Sequence, residues 1–207
     1  MKFDQLIEKC QDIQCFCPGM LGAGENISHV RVQLNRWVQT GKIIRIHKGW
    51  YTLAVPWRRI TINPFVIACT IKPGSYVSLQ SALSYHGMIP ENVPETTCIT
   101  TGRPQVLETP IGRISYRHVK REAFRDFVPE PCDGQMSYIA VAEKALLDLI
   151  YLTPGGTNKK YIAALRLQNL HELNVDRLTE MAAYFHQASL LSIPDSIRDL
   201  EAENRMV

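Results

Sequence analysis

The sequence predicts an α+β fold in which helical and extended segments occur in two successive parts of the chain. Three observations predict it: an amphipathic helix pattern between Asn26 and Gly41, an alternating strand pattern over residues 43–53, and a mixture of helix and strand patterns after residue 60. The chain has 207 residues, which is long for one small module, so two domains are expected. We assign residues 1–59 to the first domain and residues 60–207 to the second.

The helix pattern combines an apolar stripe with a polar face that carries no carboxylate. The stripe recurs at spacings of three and four and consists of Ile27, Val30, Leu34, Trp37 and Val38. Asn26 or Ser28 suits the N-cap, and Gly41 suits the position just past the last turn. The other face presents His29, Arg31, Gln33, Asn35, Arg36 and Gln39. Arginine and amide side chains pair with base edges in a DNA major groove, whereas a carboxylate there would repel phosphate.

Residues 43–53 alternate as an antiparallel hairpin does, with Lys48-Gly49 as the expected turn. One register, expected to form an apolar inner face, contains Ile44, Ile46, Trp50 and Thr52. The other register, expected to form a cationic outer face, contains Arg45, His47 and Tyr51. Such a hairpin beside a helix can act as a wing that grips phosphates or a minor groove.

The segments before this helix complete a recognisable order. A first helix is expected over about residues 2–12, and residues 18–21 are expected to form a short second helix or turn before the break at 22–24. Helix, short helix, recognition helix and hairpin is the order of a winged helix-turn-helix domain. The alternative is an ordinary amphipathic helix and hairpin with a solvated basic face. We favour the winged helix and expect DNA contacts from Ser28, His29, Arg31, Val32, Gln33, Asn35, Arg36, Arg45, His47, Lys48, Arg58 and Arg59.

The remainder of the chain predicts a mixed α/β domain with several helices. Asn63 and Pro64 are typical of the start of one helix, and Ser78 of the start of another that Gly87 ends. Strands are expected over 95–101 and 111–119, followed by a loop around Pro129 and Pro131. Further helices are expected over 138–152, 158–170 and 175–187, before a highly charged tail that begins at Pro194.

Charge is unevenly distributed along the chain. The formal net charge is +3, but residues 1–60 carry nine Lys or Arg and four Asp or Glu. Residues 61–125 carry seven and four, and residues 126–207 carry seven and twelve. The basic end is therefore the expected nucleic-acid surface, with salt-dependent affinity. The acidic end is expected to face away from DNA or toward another protein, or to be only a solvated helical surface.

Composition also bears on compartment and metal binding. No apolar run approaches the ~20 residues that cross a bilayer, and the N-terminus does not resemble a signal peptide, so we expect a cytoplasmic protein without a membrane partner. The six cysteines include no C-x2-C pair. Cys15, Cys17 and His29 are the one combination that would suit a metal, but free thiols are the favoured interpretation. We expect no metal and no cofactor.

Two groups of residues invite an enzymatic interpretation. Ser81 and His86 are five residues apart on a predicted helix, hence on different faces, and no nucleophile elbow surrounds them. Glu143, Lys144 and Asp148 imitate the carboxylate–lysine set of a nuclease but share one helix. A charged helix face or a packing ion pair is favoured for them. We therefore expect no catalytic residue and no enzymatic activity.

Three segments together resemble the AbiEi family, the antitoxins of type IV toxin–antitoxin systems linked to phage abortive infection. They are Leu34–Tyr51, Gly74–Gly87 and Ala142–Asp148, and their order and spacing carry the resemblance over most of the chain. The stretch from Pro18 to Gly24 departs from the cleaner second helix expected of the family.

The resemblance implies an N-terminal winged helix that binds double-stranded DNA at inverted repeats and represses its own operon. It also implies a C-terminal domain needed for antitoxicity, opposing a nucleotidyltransferase-like toxin without a stable complex. Two alternatives stay open: a DNA-binding protein with a nuclease-like C-terminal domain, and an interaction adaptor that uses the acidic helical end.

Overall fold

Helices and strands are distributed along the chain in the α+β manner that the sequence predicts. The computed structural model describes residues 1–21, 26–91, 93–132 and 134–204. The α-helices are α1 (Phe3–Cys10), α2 (Pro18–Leu21), α3 (Ile27–Gln39), α4 (Pro64–Ile71), α5 (Leu79–Tyr85), α6 (Ala142–Leu152), α7 (Lys159–Ala164), α8 (Val175–Ala183) and α9 (Ile193–Asn204). The strands are β1 (Ile43–His47), β2 (Trp50–Leu53), β3 (Ser75–Val77), β4 (Glu95–Thr100), β5 (Gln105–Thr109), β6 (Gly112–His118), β7 (Phe127–Cys132) and β8 (Gln135–Ala140).

The first three helices and the β1–β2 hairpin surround a small hydrophobic core. Helix α3 begins as predicted, because the Asn26 side chain accepts the backbone N–H of Ser28 at 2.9 Å, and it buries Val30, Leu34 and Trp37. The short α2 is confirmed, while the predicted break at 22–24 lies outside the described residues. The remaining members of this core are Leu6, Cys10, Phe16, Leu21, Ile43, Tyr51 and Leu53.

The hairpin forms as predicted, but its two faces were assigned wrongly. Tyr51, expected on the cationic outer face, is only 3% exposed and packs in the helical core. Of the supposedly inner residues, Ile46 belongs to the core of the larger sheet, and the half-buried Trp50 packs against that core. Both faces are therefore covered, one by the helices and the other by the second part of the chain. The alternation itself cannot indicate which face meets which neighbour.

The larger sheet has six strands in the order β5-β6-β4-β3-β8-β7. Strand β4 runs parallel to β6, and β3 parallel to β8, whereas the other neighbours are antiparallel. Helix α4 packs on one face, where the Tyr116 hydroxyl donates to the Ala68 carbonyl at 2.8 Å. Helix α6 packs on the other face and contacts Tyr76. Helix α8 then packs on α6, and α9 on α8.

Several predicted boundaries after residue 100 are wrong. Residues 127–132 are not a loop but the edge strand β7, a place where proline is tolerated because a missing N–H can face the free edge. Residues 138–140 belong to β8 rather than to a helix, since a short apolar run fits either structure. Strand β5 was not predicted, and neither was β3 earlier in the chain. The predicted helix 158–170 ends at Ala164, and Arg166 and Asn169 adopt left-handed backbone conformations.

The C-terminal tail is helical as far as it is described. Helix α9 ends at Asn204, and the last residues of the predicted tail, 205–207, lie outside the described residues. Across the described ranges, no helix is both long enough and apolar enough to span a membrane.

Candidate nucleic-acid interface

The exposed face of α3 carries most of the residues predicted to contact DNA. Because side chains four apart lie one above the other on a helix, Arg31 and Asn35 share one flank of this face. His29 and Arg36, seven apart, share the opposite flank. Val32 lies between the flanks and is 52% exposed. Ser28, His29, Arg31, Asn35 and Arg36 are exposed, whereas Gln33 is half-buried.

A groove joins the Arg31 flank of α3 to the β1–β2 hairpin. We call it the α3–hairpin groove, and it is lined by Pro18, Arg31, Asn35, Arg45, Lys48, Gly49 and Tyr51. Gly49 has a φ of +82°, so a glycine suits this turn, which places Lys48 at the hairpin tip. The fold thus brings together four predicted residues from two elements. Pro18 and Tyr51 were missed as groove residues because nothing in their local pattern indicates the Phe16–Tyr51 bridge.

The remaining predicted residues lie outside this groove. The Arg58 guanidinium donates to the backbone carbonyls of Ile60 at 2.9 Å and Leu53 at 3.4 Å. Its side chain therefore fixes the chain after the hairpin. Arg59 is exposed and His47 half-buried.

Electrostatics favour an anionic partner at the groove. No Asp or Glu lies between Glu25 and Glu91, a stretch that includes α3, both hairpin strands and α4. Within the described part of the chain, Arg31, Arg36, Arg45 and Lys48 form no ion pair. Their charges are therefore available to phosphate, with an attraction that salt screens.

The cysteines show no metal-site geometry. All six are free thiols, and Cys10, Cys15, Cys69 and Cys98 are buried. Burial raises the pKa of both Cys10 and Cys15 to about 12, which keeps them protonated at neutral pH. No group of three His, Cys, Asp or Glu side chains arranged for a metal ion occurs among the residues described.

Lys144 and Asp148 form a buried ion pair, not a solvated helix face. Both side chains are fully buried, and the Lys144 ammonium contacts the Asp148 carboxylate directly. The other Asp148 oxygen accepts the hydroxyls of Tyr76 at 3.0 Å and Ser78 at 2.7 Å. Lys144 also donates to the Tyr76 oxygen at 2.8 Å. We call these four residues the buried polar cluster.

In the buried polar cluster, burial and ion pairing shift the pKa values of Lys144 and Asp148 in opposite directions. Burial raises the pKa of the Asp148 carboxyl and lowers that of the Lys144 ammonium, and their mutual contact opposes both shifts. Neighbouring Glu143 is also buried and accepts the backbone N–H of Asn174 at 2.8 Å. The packing-ion-pair interpretation of this helix is confirmed, and the solvated-face interpretation is wrong.

Ser81 and His86 do not meet. The Ser81 hydroxyl donates to the Glu95 carbonyl at 2.8 Å, and it accepts the backbone N–H of Thr97 at the same distance. His86 Nε2 donates to the Ala140 carbonyl at 2.8 Å. Each side chain thus ties α5 or its end to a strand of the sheet.

The protein is of the α+β class, with a basic groove on its N-terminal helices and hairpin. Its fold is similar to that of a solved crystal structure, the RV2827C protein from Mycobacterium tuberculosis. The similarity has a TM-score of 0.60 at 11% sequence identity and covers 95% of this chain and 75% of the other. At this identity the likeness concerns the fold alone. No protein-family model and no curated protein matches the chain.

Proposed function

We propose that this protein binds double-stranded DNA in a sequence-specific manner, with α2, α3 and the hairpin acting as a winged helix-turn-helix. The observation that carries the proposal is the α3–hairpin groove, where Arg31, Asn35, Arg45 and Lys48 converge without a carboxylate. Side chains of these types bind base edges from a helix and phosphates from a wing. The exposed Val32 adds an apolar group suited to a thymine methyl.

The groove is tested by substituting one basic residue at a time. Arg31→Ala should weaken binding to DNA upstream of the protein's own coding sequence about tenfold or more, the cost of a lost base or phosphate contact. Arg36→Ala tests the opposite flank, and Arg177→Ala, which removes an exposed charge from α8, serves as the matched control. Affinity is measured by fluorescence anisotropy at fixed salt. Unchanged affinity in both α3 variants, with the fold intact, would reject this surface.

We further propose that the DNA-binding activity serves autorepression, and that the chain is the antitoxin of a type IV toxin–antitoxin system. The support is the sequence resemblance to the AbiEi family. Two segments that carry it, Gly74–Gly87 and Ala142–Asp148, meet in the buried polar cluster. They therefore specify the fold of the second part of the chain, where antitoxicity is expected to reside.

Co-expression with a nucleotidyltransferase-like toxin encoded beside the gene tests this role. The wild-type chain should restore growth without co-purifying with the toxin. Arg31→Ala should restore growth equally well while releasing repression, since the groove is not required for antitoxicity. Failure of the wild-type chain to restore growth would contradict the antitoxin role. Stable co-purification would favour the adaptor alternative.

A further inference from the structure

One end of the six-stranded sheet gathers basic residues from three separate segments. Strands β4 and β6 are parallel and end side by side, with Thr100 paired to His118. Strand β3 begins at the same end, with Ser75 paired to Thr100. The segments that adjoin these strand ends therefore meet. Their basic residues, which we call the basic sheet end, are Lys72, Arg103, His118, Lys120 and Arg121.

Two residues of the basic sheet end, Lys72 and His118, hydrogen-bond to the turn that carries Arg103. The Lys72 ammonium donates to the Arg103 carbonyl at 2.6 Å, and His118 Nδ1 donates to the Gly102 carbonyl at 3.1 Å. The backbone N–H of Gly102 donates to the Thr100 hydroxyl at 3.1 Å. These bonds fix the backbone of the turn and leave the Arg103 side chain exposed.

Three of the cations at this end form no ion pair within the described ranges, although the exposed Glu122 adjoins Arg121. The three are Arg103, Lys120 and Arg121, and all are exposed. No Asp or Glu lies between Glu95 and Glu108. Free guanidinium and ammonium groups held near one another attract polyanions.

The basic sheet end lies beside the N-terminal helices and hairpin. Strand β1 contacts β5, which begins two residues after Arg103. The Cys15 thiol contacts the side chain of Thr70, two residues before Lys72. Ile46 of the hairpin belongs to the core of the sheet. These contacts place the hairpin and the segment that follows α1 next to the strands and turn that adjoin the basic sheet end.

We propose that the basic sheet end binds the phosphate backbone of the same DNA duplex, flanking the half-site held by the α3–hairpin groove. This rests on the DNA-binding function proposed above. Charged groups on a fixed turn neutralise phosphates without reading bases, so they lengthen the footprint and add affinity at every sequence. The second part of the chain is then a component of the DNA-binding surface.

The test combines charge removal with two lengths of DNA. The variant Arg103→Ala with Lys120→Ala is compared with Lys160→Ala and Arg177→Ala, a pair on α7 and α8 that removes the same charge from exposed positions. One duplex spans the half-site, and the other extends it by about one helical turn on both flanks. Affinity is measured over a range of salt concentrations.

On the long duplex, the variant at the sheet end should lose about two units of salt slope, close to 0.9 for each phosphate contact. On the short duplex it should match the wild type. Arg103→Lys, combined with Lys120→Arg, should retain the wild-type slope. Equal slopes for wild type and variant on the long duplex would overturn the proposal, as would an equal loss in the α7–α8 control. Absence of DNA binding by the wild-type chain would reject the DNA-binding function itself.

Discussion

At the scale of single residues, the buried polar cluster should contribute strongly to the free energy of unfolding. Lys144 and Asp148 are charged residues in a run that also fits an exposed helix face, yet neither is exposed. The ring of Phe185, which follows α8, has its centre 4.8 Å from the Lys144 ammonium, and the Tyr76 ring also contacts that ammonium. Such a pair is tolerated in a protein interior only when each polar atom is bonded, as it is here.

Removal of one partner should therefore be costly. We expect Asp148→Ala to lower the free energy of unfolding by about 3–5 kcal/mol, because it leaves the Lys144 ammonium and two hydroxyls without their acceptor. The double change Lys144→Met with Asp148→Leu should recover part of that loss. Asp199→Ala, which breaks an exposed pair with Lys159, should cost no more than about 1 kcal/mol. Urea unfolding measures all three, and equal costs for Asp148→Ala and Asp199→Ala would contradict the assigned role.

At the scale of elements, the hairpin is distinguished by contacts on both of its faces. Ile43, Tyr51 and Leu53 pack toward the N-terminal helices, while Ile46 and Trp50 pack toward the larger sheet. A buried polar contact adds to this junction, since fully buried Gln14 accepts the Asn63 N–H at 2.7 Å. The hairpin thus joins the two hydrophobic cores.

Ile46 is the residue that tests this junction. Ile46→Ala should lower the free energy of unfolding by about 2–5 kcal/mol, because the side chain is 2% exposed and its removal leaves a cavity in the core of the larger sheet. Ile27→Ala removes the same atoms from a residue that is 49% exposed, so it should cost much less. Denaturant unfolding followed by tryptophan fluorescence provides the comparison. A cost for Ile46→Ala as small as that for Ile27→Ala would show that the hairpin does not dock as described.

At the scale of the whole molecule, local patterns predicted the α+β class and the elements with clear ends. Helices α3 and α4 have Asn caps and β4 is rich in β-branched residues, so each was found from neighbouring residues alone. Strand β3 was missed because its partners, β4 and β8, are distant in the chain. Strands β5, β7 and β8 belong to hairpins of sequence neighbours, and they were missed because their short segments also fit a loop or a helix. Pro129 and Pro131 resemble loop residues until β7 is known to be an edge strand.

The basic and amide residues of the candidate groove were predictable from the sequence, but its shape and its other lining residues were not. The acid-free polar face of α3 and the basic hairpin are evident in the sequence, and four of the twelve predicted residues line one groove. The engagement of Arg58 with backbone carbonyls has no local pattern. The assembly of the basic sheet end likewise depends on the parallel pairing of β4 with β6, which no spacing in the sequence indicates.

If the chain binds DNA as proposed, the packing of the hairpin on both of its faces also constrains how two copies would occupy one operator. If only a flexible linker joined the N-terminal helices and hairpin to the second part of the chain, the two parts could rotate about the duplex axis independently of one another. In this protein the hairpin packs against both hydrophobic cores, so the two parts should rotate together. Two copies on inverted half-sites would then face each other only at certain angular offsets about the duplex. Those offsets recur every 10–10.5 base pairs, about one turn of B-form DNA. The length of the spacer between half-sites would then determine whether two bound copies of this protein can face each other.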